Sequence, residues 1–114
     1  DIEKNEKKVH LILSHQNFRS YGLQLLNQLR KNNIAVYFDY KYDLKKSLSR
    51  ANKLNSEFAI IIGEEEMSRG TAIIKSMRTD QAQVEAPLNT IPSEIVKLLN
   101  HKNDMLTQEF STNE

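Results

Sequence analysis

Residues 57–78, EFAIIIGEEEMSRGTAIIKSMR, decide the fold because they predict two strands joined by a short acidic turn. The apolar run Phe58–Ile62 is typical of a central strand that is covered on both faces. The glutamates at positions 64–66 suit the start of a helical turn, where free backbone N–H groups favour negative charge. Gly70 permits the left-handed conformation that ends such a turn. We therefore expect a second strand over residues 71–77.

Length and composition restrict the class of protein. The 114 residues support one domain, and with a formal net charge of +1 any basic patch must arise from segregation of charge. The absence of cysteine excludes disulfides, zinc fingers and thiol catalysis. No apolar run approaches the roughly 20 residues that span a bilayer, so we expect a cytoplasmic domain without a membrane partner. Because the chain starts at Asp1 and not at Met, we expect it to be part of a longer protein.

The rest of the chain predicts further strands and helices around this segment. Strands are expected at residues 9–13, 34–38 and 82–86, with a hairpin tip at 79–81 and Pro87 closing the last strand. Helices are expected at residues 17–32, capped by Ser14 or Asn17, at residues 43–54, capped by Asp43, and from Ile91 onward, with Pro92 in the first turn. Residues 1–8 are predicted to be a linker, residues 9–101 the folded domain, and residues 102–114 a polar tail that frays.

The order of these elements predicts an α/β fold. Right-handed crossovers place the first strand between the second and the third, and the hairpin extends the sheet from the third strand. The result is a five-stranded mixed sheet of order 2-1-3-4-5, with strand 4 antiparallel, in a three-layer α/β/α sandwich. Ligands approach such sheets at the carboxyl ends of the strands. That edge should hold Ser14 and His15, residues 39–42 and residues 63–66.

Catalysis by this chain alone is not supported by its residues. The three glycines cannot form a phosphate-binding loop, because neither GxGxxG nor the Walker A pattern occurs. The histidines His10, His15 and His101 lack metal-ligand spacing, and we expect His10 to be a packed or edge residue of its strand. The acidic triplet has two readings, a metal or acid–base site and a set of solvated charges at a helix start; the second is favoured.

Basic and aromatic residues provide a better case for binding nucleic acid. The helix after Asp43 should bury Leu44, Leu48 and Ala51, and at about 100° per residue its cations fall on the opposite side. Lysine and arginine neutralise phosphates, and aromatic rings stack on unpaired bases. The alternative is an ordinary solvated helix face. The cations and tyrosines concerned are Tyr40, Lys41, Tyr42, Lys45, Lys46, Arg50 and Lys53, with Arg69, Lys75 and Arg78 on the adjoining hairpin.

The same region resembles a known family. The runs LKKSLSRANKL at residues 44–54 and FAIIIGE at residues 58–64, followed by Glu66, GTA at residues 70–72 and Lys75, closely resemble the C-terminal anticodon-binding domain of histidyl-tRNA synthetase. The threonyl, prolyl and glycyl class II enzymes share that domain in looser form. The resemblance covers the chain except its two ends, and implies that residues 9–101 are an anticodon-binding domain.

The resemblance also implies a parent enzyme and a partner. The parent would be a homodimeric, ATP-dependent histidine–tRNA ligase, with ATP and magnesium bound in its catalytic domain. This domain would itself be non-catalytic, hold no cofactor or metal, and bind the anticodon stem-loop of histidine tRNA.

Residue by residue, the resemblance implies a set of RNA contacts. Glu66 would accept a hydrogen bond from a base N–H, and Lys75, beside it, would bind a base carbonyl or a phosphate. The loop from Tyr40 to Tyr42 would stack on an unpaired base. The charge pattern of the sequence adds Lys41, Lys45, Lys46 and Arg78 to these candidate RNA-binding residues.

Two other functions fit parts of the sequence. Non-catalytic synthetase-like regulatory subunits and a polymerase accessory protein reuse this fold. A generic flavodoxin-like or receiver domain is disfavoured, because no acidic phosphorylation pocket or phosphate loop is visible. Class II motifs upstream of Asp1 would separate the ligase from its non-catalytic relatives.

Overall fold

A computed structural model describes the backbone of residues 8–112 and the side chains of residues 9–101. Its centre is a five-stranded sheet of order β2-β1-β3-β4-β5. β1 is parallel to β2 and β3, whereas β4 is antiparallel to β3 and to β5. The predicted order and the antiparallel fourth strand are confirmed. The strands are β1 (Lys8–Leu13), β2 (Ala35–Asp39), β3 (Phe58–Ile62), β4 (Thr71–Ser76) and β5 (Val84–Pro87).

Helices cover both faces of the sheet, which confirms the three-layer sandwich. The helices are α1 (Arg19–Lys31), α2 (Leu44–Lys53), α3 (Glu64–Arg69) and α4 (Ile91–Thr112). α1 and α4 pack on one face around the larger core, and α2 packs on the other over Ile12, Ala59 and Ile61. The short helix α3 connects β3 to β4, where the acidic turn was predicted. The larger core buries Val9, Leu11, Leu13, Leu25, Leu26, Leu29, Ile34, Phe58, Ile60, Ile62, Ala72, Ile74, Ile91 and Ile95.

The alternation of side chains along the strands follows the sequence pattern. All five residues of β3 are buried, as expected for a central strand under helices on both sides. In β4, Ala72 and Ile74 join the larger core, while Ile73 packs on the α2 side. Lys75 shares that second face and is half-buried there.

α2 is rotated relative to its predicted orientation. Ser47 and Ala51 are its buried residues, and Leu44 is 43% exposed although it was predicted to face the sheet. Arg50, predicted on the outer side, instead reaches a buried carboxylate of β2. The periodicity is helical as predicted, but a polar contact with the sheet determines which face is inward. The N-cap prediction is confirmed, because the Asp43 side chain accepts a hydrogen bond from the Lys46 N–H.

The start of α1 and the β4–β5 hairpin differ from prediction. A 3₁₀ turn (Gln16–Phe18) precedes α1, and the His15 ring caps it by accepting from the Asn17 N–H at 3.1 Å. Residues 77–83 connect β4 to β5, so the connection is longer than the predicted tip. Pro87 lies within β5, where an edge strand tolerates the missing N–H.

α4 begins at Ile91, as predicted, and continues to Thr112. It therefore extends through most of the segment that was expected to be a fraying tail. Residues 113 and 114, and the predicted linker apart from Lys8, lie outside the described residues. None of the described helices combines the length and apolar character needed to cross a membrane.

Candidate nucleic-acid interface

The sheet separates the predicted RNA-binding residues into two groups. The carboxyl ends of β1, β2 and β3 meet at one edge, which we call the carboxyl edge and define by His15, residues 40–42 and residues 63–66. α2 begins at the same edge, which brings Lys45 and Lys46 to it. β4 runs in the opposite direction, so Lys75 pairs with Ala59 near the amino end of β3, and Arg78 lies beyond it.

The loop of residues 40–42 presents one tyrosine to solvent and directs the other inward. Tyr40 is 51% exposed, and its ring lies 5.5 Å from that of Phe38. The Arg19 guanidinium lies over the same ring at 5.6 Å from its centroid, within the range of a cation–π contact. Tyr42, with φ of 60°, is half-buried against the larger core. Tyr40 is therefore the tyrosine available to stack on a base.

Lysines without ion-pair partners among the described side chains lie at the same edge of the sheet as Tyr40. Lys41, Lys45 and Lys46 are exposed, and no carboxylate within residues 9–101 forms an ion pair with them or with Arg19. The sequence does not indicate Arg19, because this residue lies outside the basic run and reaches Tyr40 only through the packing of α1 on the sheet. Such cations attract phosphates without selecting a sequence.

A buried carboxylate supports this loop. Asp39 accepts hydrogen bonds from His10 Nε2 at 2.9 Å and from Arg50 Nε at 2.9 Å on Oδ2, and from Arg50 Nη2 at 3.2 Å on Oδ1. The Lys41 backbone N–H also donates to Oδ1, at 3.1 Å. Burial alone would raise the pKa of Asp39. The hydrogen bonds from Arg50, His10, Lys41 and Ser47 have the larger combined effect and lower the pKa to about 2.

The carboxylate of Glu66 is engaged in the structure of α3. Its Oε1 accepts from the Gly63 N–H at 2.8 Å, and its Oε2 lies 3.5 Å from Arg69 Nη2. The side chain is only 12% exposed. This arrangement is a capping interaction at the start of the helix. The base-reading role of Glu66 stays a prediction, while its role in capping α3 is visible.

Arg69 also links α3 to the edge strand β5. Its guanidinium contacts the Glu85 carboxylate at 2.6 Å and 3.1 Å, and the Thr71 hydroxyl donates to the same carboxylate. The pKa of Glu85 is lowered, chiefly by the hydrogen bond from Arg69. Within residues 9–101, Arg69 is the cation that pairs with Glu66. The expectation that Lys75 lies beside Glu66 is wrong. Lys75 lies on β4 opposite Ala59, which is three residues before the end of β3 at Ile62. Lys75 is therefore roughly 10 Å along the sheet from the edge that holds Glu66.

Lys75 and Arg78 form the second group, on the α2 side of the sheet. Lys75 has no ion-pair partner among residues 9–101. Arg78 donates to Asn52 Oδ1 at 2.6 Å and to Asn55 Oδ1 at 3.4 Å, which connects the β4–β5 connection to the end of α2. Both partners are neutral, so the charge of Arg78 is not compensated by them. In the described part of the chain, no three acidic or histidine side chains converge as a metal site.

These observations define a small α/β domain with a basic carboxyl edge around an exposed tyrosine. A family model described as the anticodon binding domain matches residues 7–98, and the chain belongs to this family. It is 35% identical over 88 residues to the histidine–tRNA ligase of Wolbachia pipientis wMel, and the match covers 77% of this chain and 22% of that protein. It is 37% identical over 87 residues to the histidine–tRNA ligase of Listeria monocytogenes, which covers 73% of this chain and 20% of that protein.

A solved structure supports the same assignment. The histidyl-tRNA synthetase from Nostoc sp. PCC 7120 superposes with a TM-score of 0.74 at 26% identity, over 83% of this chain and 23% of that one. The chain is thus an anticodon-binding domain homologous to that of histidyl-tRNA synthetases. It spans about a fifth of the length of the curated relatives it matches.

Proposed function

We propose that this domain binds the anticodon stem-loop of histidine tRNA for a parent histidine–tRNA ligase. The observation that carries the proposal is the exposed ring of Tyr40 beside the Arg19 guanidinium, at an edge that also carries three lysines unpaired within residues 9–101, in a chain of this family. An aromatic ring stacks on an unpaired base of any identity, and the cations hold the backbone phosphates on either side.

The remaining contacts follow from position. Lys41, Lys45 and Lys46 neutralise phosphates at the carboxyl edge. Tyr42 packs against the larger core and thereby anchors the loop of residues 40–42. Lys75 and Arg78 bind a base carbonyl or a phosphate further along the α2 face. Glu66, held near the same edge, accepts from a base N–H through the oxygen that Arg69 contacts weakly, at 3.5 Å. This assigns stacking to Tyr40 and selection of the base to Glu66 and Lys75.

Titration of the 114-residue chain with two labelled stem-loops tests the proposal. The stems are identical, and only one loop carries the histidine anticodon. We expect weak binding that favours the histidine loop, with log Kd rising with log salt by about 0.7 for each phosphate neutralised on a single strand.

Variants divide the contacts into two kinds. Tyr40→Ala and Lys46→Ala should weaken both stem-loops alike, and Lys46→Ala should reduce the salt slope by about 0.7, the contribution of one phosphate contact on a single strand. Lys75→Ala should reduce the preference for the histidine loop. Arg30→Ala is the matched control, because Arg30 is exposed at the far end of α1. Equal affinity of the unaltered chain for the two loops would contradict base reading.

The parent protein completes the proposal. It is a cytoplasmic homodimer whose catalytic domain binds ATP, magnesium and histidine, while this domain carries no catalytic step. Histidine-dependent ATP–pyrophosphate exchange should therefore be absent from the 114-residue chain and present in the full-length parent. Exchange by the chain alone would contradict this division of labour, and its absence from the parent would indicate a non-catalytic relative.

A further inference from the structure

His10, Asp39 and Arg50 form a largely buried polar cluster at the end of β2. Asp39 ends the edge strand β2, and its side chain is fully buried between β1 and α2. Burying a carboxylate costs several kcal/mol unless partners compensate, and an apolar side chain of similar size is often as stable or more stable. His10 adds a further cost, because its Nδ1 is buried with no hydrogen-bond partner among the described side chains. Packing alone does not explain such a cluster.

The cluster does something that an apolar residue at position 39 would not do. Through Oδ1, Asp39 accepts the Lys41 backbone N–H, so that its side chain closes a turn over the first residues of the loop. Through both oxygens it accepts the bidentate guanidinium of Arg50, a pairing with a defined geometry. His10 Nε2 donates to Oδ2, and the His10 ring stacks on Tyr37 at 4.7 Å. β1, β2, α2 and the loop thus meet at one carboxylate.

The loop requires this support because its backbone is strained. Tyr42 has φ of 60°, a left-handed conformation that costs a non-glycine residue of order 1 kcal/mol. The turn places the Tyr42 ring against the core and the Tyr40 ring outside, where Arg19 lies over one of its faces. If the loop relaxed, the exposed ring of Tyr40 would lose its fixed position.

We propose that the His10–Asp39–Arg50 cluster is a positioning device that holds the loop of residues 40–42 in its RNA-binding conformation. Arg50 is then a positioning residue that acts on RNA through Asp39 and Tyr40, not through contact with a phosphate. The inference rests on the proposed function. It adds three residues, two of them fully buried, that support the site without contacting RNA.

The decisive variant is Arg50→Lys, which keeps the charge and loses the bidentate geometry. We expect about fivefold weaker stem-loop binding, since the substitution removes one of two charge-assisted bonds. We also expect faster amide hydrogen exchange at Lys41. In the double variant Arg50→Lys/Tyr40→Ala, affinity should equal that of Tyr40→Ala alone, because Arg50 acts through Tyr40. Arg30→Lys, the same exchange at an exposed position, should change neither property.

Other outcomes separate this inference from the proposed function. If the unaltered chain does not bind the stem-loop, both are overturned. If it binds, and Arg50→Lys binds as tightly or the two substitutions weaken binding additively, only the positioning role is overturned. A thermal melt verifies that each variant is folded at the assay temperature. If Arg50→Lys does not fold, Asp39→Asn serves as the second variant. It removes the charge that pairs with Arg50 and keeps a side-chain oxygen that can accept the Lys41 backbone N–H.

Discussion

Asp39 is buried in its charged form, and its lowered pKa makes the free energy of unfolding depend on pH. Its pKa falls from 3.8 to about 2 on folding, so the unfolded chain binds its proton first as the pH is lowered. The stabilisation is complete above about pH 4 and is lost as the pH falls through 2; a shift of this size corresponds to about 2 kcal/mol. Arg50 and His10 are the charged and titratable groups that face the carboxylate.

Urea denaturation of the chain between pH 5 and pH 2 measures this contribution. We expect the free energy of unfolding to fall more steeply below about pH 4 in the unaltered chain than in Asp39→Asn, which has no carboxyl to protonate at that position. Glu85, whose pKa is also lowered, contributes to the slope of both proteins. Parallel curves for the two proteins would show that Asp39 does not bind its proton differently in the folded state.

Individual side chains could be predicted from the sequence only where local pattern determines them. The cap at Asp43 followed from its place before an apolar-periodic run. The partnership of His10 with Asp39 could not be predicted, because 29 positions separate them and only strand pairing brings them together. A histidine inside an apolar strand and an aspartate at the end of the next strand were the available signals.

Among the elements, α3 shows how two residues share one interaction. A Cβ at Gly63 would lie 2.8 Å from Glu66 Oε1, the atom that accepts the Gly63 N–H. Gly63→Ala therefore displaces the carboxylate and loses the cap. We expect a cost of about 1 kcal/mol, as for other helix caps. In a Glu66→Ala background the same substitution should cost much less, because the oxygen it displaces is already gone.

Denaturant titration of the two single variants and the double variant measures the coupling. A free-energy change for Gly63→Ala that is the same in both backgrounds would contradict the shared interaction. Gly70→Ala is a useful comparison. Gly70 has φ of 68° with nothing within 4 Å of an added Cβ, so its cost arises from the backbone and should not depend on Glu66.

At this scale the sequence predicted most of the fold. Runs of five mostly apolar residues identified β1 to β3, and the right-handed crossover rule supplied their order. The rotation of α2 was missed, since Leu44 and Leu48 outrank Ser47 and Arg50 on hydrophobicity alone. The hydrogen bonds that Arg50 donates to Asp39 and to the Ser47 hydroxyl are the competing interactions that turn the helix. The end of β4 was missed by one residue, and the start of β5 by two.

For the whole molecule, the attraction of RNA depends on where the charges lie and not on the net charge. The formal net charge is +1, yet the cations at the carboxyl edge have no acidic partners within residues 9–101, although the exposed glutamates of α3 lie at the same edge. Attraction of RNA is therefore local, and salt screens it within about 8 Å at physiological ionic strength. Such a surface fits a module that adds affinity and selectivity to a larger protein.

The β5 edge has a consequence for how the domain behaves at high concentration. An exposed edge strand is a template for pairing with other chains, and natural proteins blunt such edges with short strands, charges and proline. β5 has four residues, ends in Pro87, and carries Glu85 tied to Arg69 across the neighbouring strand. The salt bridge between Arg69 and Glu85, which holds α3, thus also disfavours pairing of β5 with another chain. The other edge strand, β2, exposes Tyr37 and is less protected against such pairing.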